Sequence, residues 1–180
     1  MITLIDEREA AAAEAAVVGG KGGQLGRLRR YGLPVPDFFV IPAAWSAQRA
    51  GSFTASLEAL LDAELTRRGW HELPLVVRSS AVGEDAAEAS FAGIYLSLLN
   101  VCGLPALLPA VAEVWASLDT PTAQAYRARM GVAAEAAMAV VVMPLLPAVS
   151  SGIAFTCDPL SGRDDRMVVH ANWGLGESLV

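Results

Sequence analysis

The sequence predicts an α/β (α+β) fold, with an α/β first lobe over residues 1–132 leading into a β-rich second lobe that begins at 133 and is incomplete at 180. Three observations carry this. Apolar residues recur at helical spacing in 55–68 and 104–118. Short β-type apolar runs, 38–41, 75–78 and 94–101, stand among those windows. Beyond Gly131, three further β-type runs, 138–143, 152–157 and 166–170, follow one another with no helical window between them. The boundary is therefore expected between residues 130 and 137.

In chain order, residues 10–16 are Ala-rich, and 23–31 reads as a short helix with Leu25 and Leu28 on one face. Gly32 sits where a helix-ending glycine belongs, and Pro34 and Pro36 prevent continuation. Arg27, Arg29 and Arg30 make a cationic last turn that suits the helix dipole. A strand over 38–41 follows. The 55–68 helix places Leu57, Leu60, Leu61 and Leu65 on one side, and the 104–118 helix buries Leu107, Leu108, Val111, Val114 and Trp115. Between them, 94–101 alternates Ile94, Leu96 and Leu98 against Tyr95, Ser97 and Leu99. Thr120 caps the next helix, Pro121 takes its first position and Gly131 ends it.

Composition narrows the function classes. A chain of 180 residues holds one domain or two small lobes. With 54% hydrophobic and 18% charged residues and a mean hydropathy of +0.43, it is globular. A net charge of −6 and a pI near 4.9 argue against a nucleic-acid partner, which needs a basic face. Cys102 and Cys157 make no metal-ligand spacing and read as free thiols of a reducing, cytoplasmic compartment. Asp6, Glu7 and Glu9 stand where a signal peptide needs basic residues, and the apolar run 136–149 is broken by Pro144 and Pro147. A soluble protein with no membrane partner is expected.

Three segments carry chemistry. In the first, Leu75-Val76-Val77-Arg78-Ser79-Ser80-Ala81-Val82-Gly83-Glu84-Asp85, a strand delivers an arginine at its tip, and Ser90-Phe91-Ala92-Gly93 follows. Arg78 offers a planar fork of donors for phosphate oxygens, to which Ser79 and Ser80 add hydroxyl or backbone donors. The alternative is a surface pair with Glu84 or Asp85. In the second, Gly19-Gly20-Lys21-Gly22-Gly23 reads as a loop presenting backbone amides and one lysine before a helix N-terminus, a setting that favours an anion. It is not a Walker loop, because Gly22 follows Lys21 and Ala15 stands where the first glycine belongs. Nor is it a dinucleotide fingerprint, since Leu25 occupies the third glycine position. A glycine turn with a solvated lysine is the alternative. The third segment is Ser151-Gly152-Ile153-Ala154-Phe155-Thr156-Cys157-Asp158-Pro159, then Asn172-Trp173-Gly174-Leu175-Gly176-Glu177.

Taken in this order, the segments resemble the N-terminal ATP-binding domain of the pyruvate phosphate dikinase and phosphoenolpyruvate synthase family; rifampin phosphotransferase carries a similar domain. Trp115-Ala116-Ser117-Leu118 and Ala125-Tyr126-Arg127 also fit. The resemblance implies a partial ATP-grasp-like, two-lobed nucleotide-binding fold. It further implies a phosphoryl group passed from ATP to a histidine on a swivelling domain, then to a small acceptor such as pyruvate. Lys21 and Arg78 correspond to phosphate ligands, and Gly93 and Ser97 to other nucleotide contacts, Ser97 standing where the family usually has threonine. Met143 takes the place of a usual glutamine at the adenine end; its side chain packs against a purine but lacks the amide's donors and acceptors. Val82 replaces another frequent threonine.

The resemblance places the magnesium ligands beyond Gly-Leu-Gly-Glu, past residue 180, so no metal ligand and no catalytic residue is assigned here. Asp158 reads as a turn starter and Glu177 as a helix N-terminal residue. His71 and His170 do not match the phosphohistidine context and read as buried or capping. The expectation is the ATP-binding portion of a phosphotransferase, inactive alone, whose partners are nucleotide and a missing C-terminal half or phosphohistidine domain. The alternative is a non-catalytic nucleotide-binding or regulatory module, or one half of a split enzyme.

Overall fold

In the computed structural model, which describes residues 3–48, 55–82, 95–129 and 137–176, a mixed α/β arrangement is built around a five-stranded sheet. Its strands are β1 (Ile5–Asp6), β2 (Phe39–Ile41), β3 (Leu75–Ala81), β4 (Ser97–Val101) and β5 (Met138–Pro144). Their order is β1-β2-β5-β3-β4, every neighbouring pair antiparallel. β5 lies at the centre and is buried from Met138 to Met143. Met138, Val140 and Val142 enter one apolar cluster, and Ala139, Val141 and Met143 enter another, so helices cover both faces and no polar alternation survives.

That placement corrects the expected lobe boundary. The chain divides into Met1–Leu145 and Leu146–Val180, not at 132/133. The run 138–143 is a sheet-centre strand of the first unit, pinned on one side by β2 and on the other by β3.

One face of the sheet, with Phe39, Ile41, Leu75, Val77, Val140 and Val142, packs against α2 (Ala55–Arg68) and α3 (Gly103–Ala116). Leu57, Leu61 and Leu65 repeat every four residues along α2 and are all buried, each contributing roughly 1.5–3 kcal/mol. In α3 the indole N–H of Trp115 donates to the carbonyl of Met138, 3.0 Å away, which ties the helix to β5. A 3-10 turn, Ser117–Asp119, then leads to α4 (Pro121–Arg129). Thr120 caps that helix as expected, its Oγ1 accepting from the Ala123 N–H at 3.3 Å. Gly131 lies outside the described residues.

The opposite face carries α1 (Ala15–Arg30) over Phe38, Val40, Val76, Val141 and Met143. Here the sequence misleads. The helix begins at Ala15, breaks at Gly19 (φ 69°, ψ 178°) and resumes, so Gly20 to Gly23 are helical rather than a loop. Its other end is as expected. Gly32 has φ 77°; its N–H donates to the Arg29 carbonyl and that of Leu33 to Leu28, a paired C-terminal closure. Leu28 is 40% exposed and does not join Leu25 in the packed face.

The second unit holds an antiparallel hairpin of β6 (Ser150–Phe155) and β7 (Val168–Trp173), in register from Ser150 opposite Trp173 to Phe155 opposite Val168. β6 starts before the expected 152. β7 starts after 166 and takes in Asn172 and Trp173. Asp158 starts the connecting turn. It accepts from Ser161 Oγ at 2.7 Å and from the N–H groups of Leu160 and Ser161, bonds that hold its carboxyl below the ordinary value. Among the described residues no helix is long and apolar enough to cross a membrane.

Candidate functional site

Side chains alternate along β3. Leu75, Val77 and Ala81 belong to the α2–α3 cluster, and Val76 to the α1 cluster. Arg78 and Ser80, in phase with Val76, therefore share the face under α1, and Ser79 lies on the other. The register extends this row. Arg78 stands directly opposite Ser97 on β4 and Val141 on β5, and Val76 opposite Met143. Met143 is thus the diagonal neighbour of Arg78, roughly 7–8 Å away along the sheet. Arg78 is half-buried, Ser97 is exposed and Met143 is 7% exposed.

The resumed N-terminus of α1 meets this row at Ser80. The Ser80 Oγ accepts from the Gly22 N–H at 3.0 Å and donates to the Val18 carbonyl at 2.7 Å. Lys21 stands between the break at Gly19 and the capped amide of Gly22, in the first turn after the break. The turn that carries Lys21, with the partial positive charge of a helix N-terminus, therefore lies over the same sheet face as Arg78. Glycine is what permits the close approach: a Cβ on Gly19 would lie 1.9 Å from the Ser80 carbonyl oxygen, and one on Gly26 2.5 Å from the Ala11 nitrogen.

Of the five expected nucleotide-contacting residues, Arg78, Ser97 and Met143 thus share one sheet face, and Lys21 is carried by the helix that packs over it. Gly93 lies outside the described residues, as do Glu84 and Asp85, the alternative partners of Arg78. The hydroxyls of Ser79 and Ser80 are not presented to a ligand. Ser80 is fully buried with its hydroxyl engaged inside the protein, and the Ser79 hydroxyl is buried on the opposite face without a hydrogen-bond partner among the described residues.

His71 is neither buried nor capping a backbone group; it is partly exposed near the end of α2, its Nε2 3.0 Å from the Thr66 side-chain Oγ1. His170 is neither buried nor capping; it is exposed on β7, edge-on to Phe155. Cys102 and Cys157 are exposed free thiols. Among the described residues no group of three His, Cys, Asp or Glu side chains could hold a metal ion. Glu177 lies outside the described residues.

Sequence reasoning missed the Gly19–Ser80 contact. One signal was available: the residues before Lys21 offer no Ser, Thr, Asp or Asn to cap a helix starting there, so a cap had to come from elsewhere.

With this geometry in place, residues 46–180 match the family described as pyruvate phosphate dikinase, AMP/ATP-binding domain. The chain belongs to this family. It is similar to a rifampicin phosphotransferase of Streptomyces sviceus, 37% identical over 215 residues, covering 98% of this chain and 25% of that protein. A phosphoenolpyruvate synthase of Aeropyrum pernix is 34% identical over 207 residues, covering 91% and 25%. A probable phosphoenolpyruvate synthase of Methanocaldococcus jannaschii is 33% identical over 208 residues, covering 91% and 17%.

The chain spans about a quarter of the length of the first two relatives. The family match begins after Lys21, but the alignment with the Streptomyces enzyme includes that residue. That alignment is also longer than this 180-residue chain, so the relative carries intervening residues that are absent here. The mixed α/β fold agrees with a partial ATP-grasp-like nucleotide-binding domain.

Proposed function

We propose that this domain holds the phosphates of ATP between the Lys21 turn of α1 and Arg78 of β3. Ser97 adds a hydroxyl beside Arg78, and Met143 forms an apolar floor beneath the base. The observation that carries this reading is the shared sheet face, with Arg78 opposite Ser97 and the capped start of α1 two residues along the strand. A triphosphate needs charge neutralisation from more than one direction. The lysine supplies a point charge, the helix turn supplies oriented amides, and the arginine supplies a bidentate fork.

In this reading the domain is the ATP-binding portion of a phosphotransferase. The bond between the transferred phosphorus and its bridging oxygen breaks, and a bond to an imidazole nitrogen of a histidine outside this chain forms. The phosphohistidine then passes the group to a small acceptor, of the pyruvate or rifampicin type that the relatives' names indicate. This chain's own residues orient the phosphates and neutralise their charge, the main protein contribution to such transfers. Magnesium is expected alongside ATP, where it would neutralise charge on the phosphates.

Thermal unfolding with and without nucleotide tests the reading. A ligand at 100 times its Kd stabilises by about 2.7 kcal/mol, an easily read rise in Tm. ATP or ADP should raise the Tm of the wild type, and Lys21→Ala or Arg78→Ala should abolish the rise. Arg78→Lys should lose much of it, because an ammonium cannot replace a bidentate fork. Unaltered nucleotide stabilisation in both alanine variants would show that the phosphates bind elsewhere.

A further inference from the structure

We propose that Ser80 is a positioning residue for phosphate binding: it caps the Lys21 helix turn from another strand and so fixes it relative to Arg78. This inference rests on the nucleotide reading above and extends it to a residue that touches no ligand. In an ordinary N-cap, the capping residue's own side chain accepts the N–H three positions on. Here the capping position is Gly19, which has no side chain and cannot gain one, since a Cβ would sit 1.9 Å from the Ser80 carbonyl oxygen and 2.4 Å from its Oγ. Ser80 supplies the missing acceptor to Gly22 from 58 residues away in the chain.

The same hydroxyl donates to the Val18 carbonyl, just before the break, so one oxygen holds both sides of it. Ser80 is 0% exposed and cannot reach a ligand itself. It is nonetheless two residues from Arg78 on the same strand face. Removing it leaves the Gly22 N–H and the Val18 carbonyl without their partner and frees the Lys21 turn to shift against Arg78. The loss should fall on phosphate binding and spare the base.

The test compares the wild-type chain with Ser80→Ala, titrated with ATP, inorganic tripolyphosphate and adenosine, with amide hydrogen exchange read at Gly22. Ser80→Ala should weaken ATP and tripolyphosphate by about tenfold, which is the upper-middle range of a lost cap. Adenosine binding should be unchanged, and Gly22 exchange should accelerate. Lys21→Ala should cost less in the Ser80→Ala background than in the wild type, since the turn is already displaced. Equal weakening of all three ligands would mean a general structural role and would overturn the proposal. A folded Ser80→Ala with wild-type tripolyphosphate affinity would overturn it too, leaving the nucleotide reading intact. A wild type that binds neither ATP nor tripolyphosphate would overturn both. Should Ser80→Ala fail to fold, Ser80→Cys, which fills the space with a weak acceptor, carries the same comparison.

Discussion

Replacing Gly19 by alanine probes the contact on which the site geometry depends. The backbone there has φ 69° and ψ 178°, a region essentially reserved for glycine, and forcing another residue into it costs on the order of 1–3 kcal/mol. The added methyl would lie 1.9 Å from the Ser80 carbonyl oxygen, a backbone atom that no side-chain rotation can move aside. β3 is held by β4 on one side and β5 on the other, so α1 must give way instead. Overpacking of this kind costs roughly 1–3 kcal/mol, and the displaced cap at Gly22 a further ~1 kcal/mol.

Gly19→Ala should therefore lose about 3–7 kcal/mol, a large part of the 5–15 kcal/mol that stabilises a typical domain. Gly32→Ala is the control: φ is 77°, but no atom lies within 4 Å of an added Cβ. Only the conformational penalty of about 1–2 kcal/mol remains there. Urea unfolding at matched m-values measures both. If the two variants fall within about 0.5 kcal/mol of each other, a spread expected of uncoupled surface changes, then Gly19 does not press on Ser80 and the geometry is wrong.

Two further outcomes follow from the same geometry. Met143 offers no hydrogen-bonding groups to a base edge, so ATP and GTP should bind within about tenfold of each other, and Met143→Gln should widen the preference for adenine; paired titrations check this, and a hundredfold wild-type preference would mean that other groups read the base. Glu64 should support stability only above the acid range. Its carboxylate accepts from Arg67 first of all and also from Arg68, which together outweigh burial and hold it below the ordinary 4.5. A lowered carboxyl stabilises the fold above its unfolded-state value, and that contribution fades as pH falls through the folded-state value. Glu64→Gln should accordingly lower Tm near neutrality and converge with the wild type in strong acid; a gap that persists in acid would refute the electrostatic account.

Local signals in the sequence read well because local physics decides them. The leucine spacing of α2 gave Ala55–Arg68, Thr120-Pro121 gave the start of α4, and Gly32 gave the end of α1, where the paired closing bonds form. What failed depends on partners distant in sequence. Gly20 to Gly23 looked like a loop because glycine is a poor helix former, yet the Ser80 cap and the close sheet contact hold that turn helical. β5 was assigned to the second lobe because no helix separates it from β6; its insertion between β2 and β3 is a matter of topology that no local pattern encodes. Motif order proposes the nucleotide-contacting residues, but that Arg78, Ser97 and Met143 share a face follows from the β3–β4 and β3–β5 registers alone.

Seating of the ATP phosphates between the Lys21 turn and Arg78 is tested by titrating isotope-labelled protein with ATP and following backbone amides and arginine side chains by NMR. The amides of Gly20, Lys21 and Gly22 and the Arg78 guanidinium should shift together along one saturation curve, with Ser97 moving alongside. Shifts confined to β6 and β7, or to the α2–α3 face of the sheet, with Gly20 to Gly22 and Arg78 unmoved, would contradict that seating.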